Sequence, residues 1–215
     1  MEIYDTEEEQ VEALKRWWKE NSQSVIIGLV LGLSAILGWN YWQEHKKSQA
    51  EQASALYGQL LKALAADNKD SATKLAERLQ TQFSGTGYAA YSAFLEAKLK
   101  VRQGDNVGAK QLLEKIAAMP NKELGNLAKI RLVRLMLATK EYEQGLKLIN
   151  GIDPASSVGF SNHYDELVGD LYVALDRLDQ ARTSYQNALR NGHQSPLLQM
   201  KIDDLTASEK VENKK

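Results

Sequence analysis

Any catalytic chemistry in this sequence would have to come from histidines, hydroxyls and carboxylates, because its 215 residues include no cysteine. That composition excludes thiol catalysis, disulfides and cysteine-ligated zinc. The three histidines, His45, His163 and His193, lie far apart along the chain, and the sequence has no Gly-rich phosphate loop, G-x-S-x-G or H-E-x-x-H motif. We therefore predict a protein that is not an enzyme and binds neither a metal nor a cofactor.

Because the sequence shows no group of catalytic residues, its prediction of function depends on the fold. The composition predicts that the secondary structure is helical. Only three prolines occur, and the good helix formers Ala, Leu, Lys, Glu and Gln are abundant. The net charge of −1 gives no indication of nucleic-acid binding. Residues 1–23 hold seven acidic and three basic residues, so an acidic head precedes a mildly basic body.

An uncharged stretch from Asn21 to Gln43 predicts one transmembrane helix, because its length suits about 30 Å of hydrocarbon. All four tryptophans flank its apolar centre, as in the aromatic belts of membrane helices. A long acidic segment precedes the stretch and bulky rings end it, which disfavours a cleavable signal peptide. A buried soluble helix would have no reason to place every tryptophan at its ends. We predict a signal anchor at 24–42.

The basic residues around the anchor indicate its orientation only weakly. Lys15, Arg16 and Lys19 precede it, while Lys46 and Lys47 follow it closely. Because basic residues favour the inner side, this bias places residues 1–23 in the cytoplasm. In this N-terminal segment Val11, Leu14 and the pair Trp17 and Trp18 recur at helical spacing, and the segment either lies along the membrane surface or continues the span.

Small residues recur at four-residue spacing within the anchor. The pairs are Gly28 with Gly32 and Ser34 with Gly38. Such pairs let another membrane helix approach closely, so these four residues are candidates for packing against a partner. Glycine is also common in membrane helices without this role, and the two readings weigh about equally.

Beyond the anchor, helical periodicity and turn signals predict a series of short helices. We expect them at 46–66, 71–83, 88–103, 107–119, 124–139, 142–149, 161–175 and 178–190, with a closing helix that begins near Pro196. They form one domain at 43–208, followed by a disordered, charged tail at 209–215.

An internal repeat organises these helices, since residues of similar type recur every 36 positions. The columns are Ala97, Val133 and Gly169; Leu99, Leu135 and Leu171; Val101, Leu137 and Val173; Ala109, Gly145 and Ala181; Leu113, Ile149 and Tyr185; and Ile116, Ile152 and Ala188. The pattern resembles a divergent tetratricopeptide repeat, in which small residues mark the crossing of two paired helices. The helices at 46–83 are expected to add one further pair, and the closing helix to cap the stack.

Stacked helix pairs curve and expose a concave face, which usually binds peptides or proteins. If the repeat register holds, the first helix of each pair presents six candidate binding residues on this face: Tyr91, Lys98, Leu127, Arg134, His163 and Asp170. The fold class expected is thus all-α, with one N-terminal transmembrane helix followed by a tetratricopeptide-like solenoid of helix pairs.

The whole chain resembles the YfgM family, the ancillary subunits of the SecYEG translocon. The resemblance rests on the opening Met1 to Tyr4, the Gln10 to Glu12 segment, the Lys15 to Asn21 segment with its paired tryptophans, and the Gly38 to Trp42 aromatic cluster before the divergent repeats. It implies a single-pass protein of the bacterial inner membrane, with a cytoplasmic N-terminus and a periplasmic repeat domain.

The partners that the resemblance implies are the translocon and a membrane-anchored periplasmic chaperone of the prolyl-isomerase type, with exported client chains as further candidates. The implied function is a protein-binding scaffold that helps exported proteins reach periplasmic chaperones. The alternative is a membrane-anchored negative regulator whose cytoplasmic segment restrains a stress-response regulator. A third possibility is an assembly factor for envelope complexes.

Overall fold

In the computed structural model, residues 7–192 and 194–212 are described, with side chains for 9–192 and 194–205. All regular structure in this part of the chain is helical, as the sequence predicts. The helices are α1 (Glu7–Ala65), α2 (Lys69–Gln82), α3 (Gly87–Arg102), α4 (Asn106–Ala117), α5 (Lys122–Ala138), α6 (Tyr142–Asn150), α7 (Ser161–Ala174), α8 (Leu178–Arg190) and α9 (Pro196–Glu212). Two short 3-10 turns, Pro154–Ser156 and Val158–Phe160, connect α6 to α7.

Helix α1 has 59 residues, which differs from the expectation of a new helix beginning at 46. Helix-forming residues fill the stretch between Trp42 and Ser48, and it contains neither glycine nor proline, so nothing in it ends the helix. The segment before the anchor is likewise continuous with it, in agreement with the reading in which it continues the span. Residues 1–6, which include the Met1 to Tyr4 motif, lie outside the described residues.

The chain divides into two compact units, Met1–Gln52 and Ala53–Lys215. In the first, the apolar stretch of α1 is long and apolar enough to cross a membrane, and none of that stretch is buried within the protein. The rings of Trp39 and Trp42 lie 5.2 Å apart, and the Lys46 ammonium lies 3.7 Å from the Trp42 ring centroid. These features are consistent with a membrane-anchored protein. Ala53 begins the second unit and is fully buried.

The second unit is built from helix pairs, each joined by a turn with a residue in the left-handed region. These residues are Asp67, Gly104, Lys140 and Asp176, with φ of 52°, 81°, 64° and 59°. The last three are 36 residues apart, and Asp67 precedes Gly104 by 37. After each, the next amide donates to a carbonyl five residues back, for example Glu141 to Met136 at 2.8 Å. The backbone therefore repeats with the step predicted from side chains.

Three of the six predicted repeat columns are buried at every member, which explains why they recur. Ala97, Val133 and Gly169 are buried, as are Leu99, Leu135 and Leu171, and also Ala109, Gly145 and Ala181. The column of Val101, Leu137 and Val173 differs, because Val101 and Val173 remain 42% and 41% exposed. Its members lie near the C-terminal ends of α3, α5 and α7.

The first and second helices of each pair fit together by complementary size. Gly169 lies against Tyr185, and a Cβ atom at position 169 would overlap the ring of Tyr185. The equivalent positions in earlier pairs carry larger first-helix residues opposite aliphatic side chains: Ala97 with Leu113, and Val133 with Ile149. Helix α9 closes the stack, and its Leu198 and Leu205 are buried with Ala181 and Ala188.

Candidate protein-binding face

A cavity of about 410 Å³ opens between α3 and α5, with Leu113 of α4 also in its lining. Its lining is Phe94, Leu95, Ala97, Lys98, Val101, Leu113, Arg131, Arg134, Leu135 and Ala138. Helix periodicity explains this lining, because residues three and four apart share one face of each helix. Phe94, Ala97, Leu113 and Leu135 are buried and form an apolar wall. The volume lies in the range typical of ligand sites.

Three cationic side chains, Lys98, Arg131 and Arg134, stand around this apolar wall. The Arg131 guanidinium lies 4.4 Å from the Phe94 ring centroid, a cation–π contact. Burial and the adjacent Arg134 charge lower the pKa of Arg131. Within the described side chains, none of the three cations forms a salt bridge, so the cavity carries uncompensated positive charge.

Lys98 and Arg134 belong to the predicted binding face, and the structure brings them together at this cavity. Arg131 was not among the predicted residues. A signal for it exists, since Leu95 and Leu167 occupy the same repeat position and Arg131 replaces an apolar residue there. A charge that interrupts an apolar repeat column marks a position where folding and function make different demands.

Tyr91 and Leu127, one repeat apart, lie elsewhere on α3 and α5. Tyr91 is 47% exposed, and its ring lies 6.4 Å from the rings of both Tyr57 and Tyr88. Burial, followed by the charges of the two neighbouring tyrosines, raises the pKa of Tyr57. Leu127 is half-buried against the core that α3, α4 and α5 share. These two residues are not among the lining residues of the cavity.

Asp170, another residue of the predicted binding face, is hydrogen-bonded within the chain. Its Oδ1 accepts hydrogen bonds from the Tyr185 hydroxyl at 2.8 Å and the Lys201 ammonium at 2.6 Å. Lys201 also contacts Glu166 at 2.8 Å, so two α7 carboxylates bind helix α9. Burial by itself would lower the pKa of Lys201, but the two carboxylates raise it above its usual value. His163 is half-buried in the first turn of α7.

The small residues in the apolar stretch of α1 form two open pairs in the described structure, Gly28 with Gly32 and Ser34 with Gly38. A Cβ atom added at Gly28, Gly32 or Gly38 would meet no heavy atom within 4 Å, and Ser34 is exposed. The two pairs lie roughly 120° apart around the helix, and each leaves room for another helix.

Known proteins are similar to this chain over both the apolar stretch of α1 and the helix pairs. A family model for a tetratricopeptide repeat-like domain matches residues 15–207. A relative from Haemophilus influenzae, named ancillary SecYEG translocon subunit, is 30% identical and covers 94% of this chain and 99% of its own. The chain belongs to this family of tetratricopeptide repeat-like proteins, the ancillary SecYEG translocon subunits. The family resemblance and the fold class predicted from sequence are thus confirmed.

Further members of the family extend the similarity. The Escherichia coli protein of the same name is 28% identical over 96% of this chain and all of its own length. The Neisseria gonorrhoeae protein is 25% identical over 93% of this chain. A solved structure described as a MamA RS-1 ArsTM double mutant has a TM-score of 0.56 at 12% identity, over 75% of this chain and 87% of its own. At that identity the likeness concerns the fold alone. The family fold and the relatives' names suggest an adaptor role rather than catalysis.

Proposed function

We propose that this protein is a membrane-anchored, protein-binding scaffold associated with the Sec translocon. The observation that carries the proposal is the similarity over nearly the full length to relatives named ancillary SecYEG translocon subunit. That similarity includes the apolar part of α1 as well as the helix pairs. The proposed location is the bacterial inner membrane, as a single-pass type II protein with the N-terminus in the cytoplasm and the repeat domain in the periplasm.

The anchor is proposed to confine the repeat domain near the translocon. Confinement raises the effective concentration of two partners, so weak intrinsic contacts suffice for frequent encounters. The open pairs Gly28 with Gly32 and Ser34 with Gly38 would support this association, because small residues let a translocon helix approach closely. The exposed leucines and isoleucines of the remaining helix surface are compatible with lipid tails.

The repeat domain is proposed to hold a membrane-anchored periplasmic chaperone of the prolyl-isomerase type, or exported client chains, and so to help transfer exported proteins. The cavity between α3 and α5 supports this step. It combines apolar wall residues with unpaired cations in a fold whose usual partners are proteins.

Site-specific photocrosslinking in cells tests the anchor part of the proposal. Ala35 lies between the faces of the two small-residue pairs, whereas Leu33 lies on the opposite side of the helix and serves as the matched control. A photoreactive residue at Ala35 is expected to give adducts with translocon subunits, and one at Leu33 far fewer. Equal labelling from both positions would contradict packing through the small-residue pairs.

Two truncations and one further probe separate the alternatives. Deleting residues 1–43 is expected to abolish co-purification with the translocon, and full retention would contradict the tether. Deleting residues 1–20 is expected to leave that association intact; loss of stress-response control in this variant would favour the regulator alternative. A photoreactive residue at Val101, on the cavity, is expected to label a periplasmic chaperone or client. Adducts with cytoplasmic proteins alone would overturn the proposed topology and function together.

A further inference from the structure

The cavity between α3 and α5 combines cationic side chains with an apolar wall, and these two features limit which protein segments fit it. We propose that it binds a short acidic segment of a partner protein, in which an apolar side chain stands beside one or more carboxylates. The proposal rests on the scaffold function in taking the ligand to be a protein. It goes further by specifying the site and the chemical character of the segment.

Lys98, Arg131 and Arg134 are exposed around one cavity, and none of them has a carboxylate partner among the described side chains. Three other lysines of the repeat domain have such partners: Lys110 with Glu141, Lys100 with Asp105, and Lys201 with Glu166 and Asp170. Desolvation and the neighbouring Arg134 charge lower the pKa of Arg131 and so disfavour its charged state. A bound carboxylate would supply the missing counter-charge, and charge-assisted hydrogen bonds to guanidinium are among the strongest in proteins.

The apolar wall of the cavity indicates that the ligand also has an apolar side chain. Phe94 and Leu135 line the cavity, and the exposed Val101 extends its apolar surface to the outside. A small inorganic anion or a bare headgroup phosphate would leave this apolar surface exposed to water. A leucine or phenylalanine side chain would cover it, at roughly 25 cal/mol per Å² of buried apolar area. The ligand that fits both features is a peptide segment with acidic and apolar residues close together.

The cations on α5 differ from the residues at the equivalent positions one repeat later. Arg134 has Asp170 as its equivalent one repeat later, and Arg131 has Leu167. Asp170 is occupied by Lys201 of α9, so the corresponding charge in the last pair is neutralised within the chain. The junction of α3 with α5 thus keeps its charge available, whereas the last pair uses the equivalent position to hold the closing helix.

A binding assay with the full chain in detergent micelles tests the proposal. Three fluorescent peptides of equal length serve as probes: one of Leu and Glu, one with Gln in place of every Glu, and one with Ser in place of every Leu. We expect the Leu–Glu peptide to bind at least about tenfold more tightly than either of the others, because one charge-assisted contact is worth that much. Its affinity is also expected to fall with added salt.

Paired variants assign the binding to the cavity. Lys98→Gln with Arg134→Gln is expected to weaken the Leu–Glu peptide by about tenfold or more. Lys115→Gln with Lys147→Gln removes the same charge from exposed positions on α4 and α6 and is expected to leave affinity unchanged. Arg131 stays in place because it packs on Phe94. Circular dichroism of each variant checks that the fold persists.

Three results would overturn the proposal: equal binding of the three peptides, equal loss in both double variants, or preferential binding of vesicles rich in anionic phospholipid with displacement of the peptide. The scaffold function is judged separately, by translocon co-purification. Failed peptide binding with intact co-purification would refute the cavity proposal alone. Peptide binding without any translocon association would refute the scaffold at the translocon but leave the acidic-segment site standing.

Discussion

The close fit of Gly169 against Tyr185 yields a prediction with a defined magnitude. In Gly169→Ala, the new Cβ atom would overlap the Tyr185 ring, whose hydroxyl is held by Asp170. Overpacking of this kind costs about 1–3 kcal/mol, and a rigid, tethered ring places the cost near the upper end. The better helix propensity of alanine offsets about 1 kcal/mol. We expect a net loss of about 2 kcal/mol in the free energy of unfolding.

A double-mutant cycle isolates this effect. Tyr185→Leu alone is expected to cost about 2–3 kcal/mol, because ring volume and the bond to Asp170 are lost. In the Tyr185→Leu background, Gly169→Ala recreates the pairing of Ala97 with Leu113. It should then be neutral or stabilising by up to about 1 kcal/mol. The expected coupling is therefore about 2–3 kcal/mol in favour of the double variant.

The assay is urea-induced unfolding of the full chain in mild detergent, followed by circular dichroism. Hydrogen exchange in α7 and α8 accompanies it, because stacked repeats need not unfold in one step. Gly145→Ala is the control, since its Cβ would meet the Leu171 methyl groups at 3.1 Å, whereas the nearest atom of the Tyr185 ring would be 2.2 Å from a Cβ at position 169. Its effect should stay within about 1 kcal/mol. If Gly169→Ala cost the same with and without Tyr185, the size-complementarity argument would be refuted.

Three further predictions concern hydrogen bonds, charge and backbone. Tyr164→Phe removes a 2.8 Å bond to Asn126 and should cost about 1–2 kcal/mol. Because burial raises the pKa of Tyr164 to about 12, the native protein should lose stability between pH 10 and 12 and this variant should lose less. Lys201→Met should lower the free energy of unfolding by about 2 kcal/mol and raise hydrogen exchange in α9. In the native protein the two carboxylates raise the pKa of Lys201, so the stability that its charge contributes is present up to about pH 10.5 and is lost above it. Gly104 and Lys140 both have positive φ, which glycine adopts more readily than other residues. In thermal unfolding we therefore expect Gly104→Ala to destabilise the protein by about 1 kcal/mol and Lys140→Gly to stabilise it by about 0.5–1 kcal/mol. Changes of the opposite sign would contradict the turn geometry.

The helix limits beyond the anchor could be predicted closely because their signals are local. Asn68, Asp105 and Asn121 cap helices through side-chain bonds to amides three residues on, and each is visible in the sequence as a turn residue before an apolar run. The apolar stretch of α1 could likewise be recognised from its composition and flanking tryptophans. The repeat step was readable because buried small residues must recur wherever paired helices cross.

Other features depended on tertiary structure because they join residues that are distant in sequence. The continuity of α1 through Trp42 and Lys46 was missed, since periodicity alone does not show that a helix fails to stop. Asp170 was expected on the binding face, and only the position of α9 shows that Lys201 occupies it.

What the sequence determined by itself is the set of short helices α2 to α9, the apolar segment of α1, the 36-residue repeat and the family, because each follows from local periodicity, capping and composition. What only the tertiary structure decided is which charges remain unpaired. Lys98, Arg131 and Arg134 meet at one cavity because both α3 and α5 line it, although 33 positions separate Lys98 from Arg131. Contact across such a separation is set by helix packing, and the identity of the residues does not reveal it.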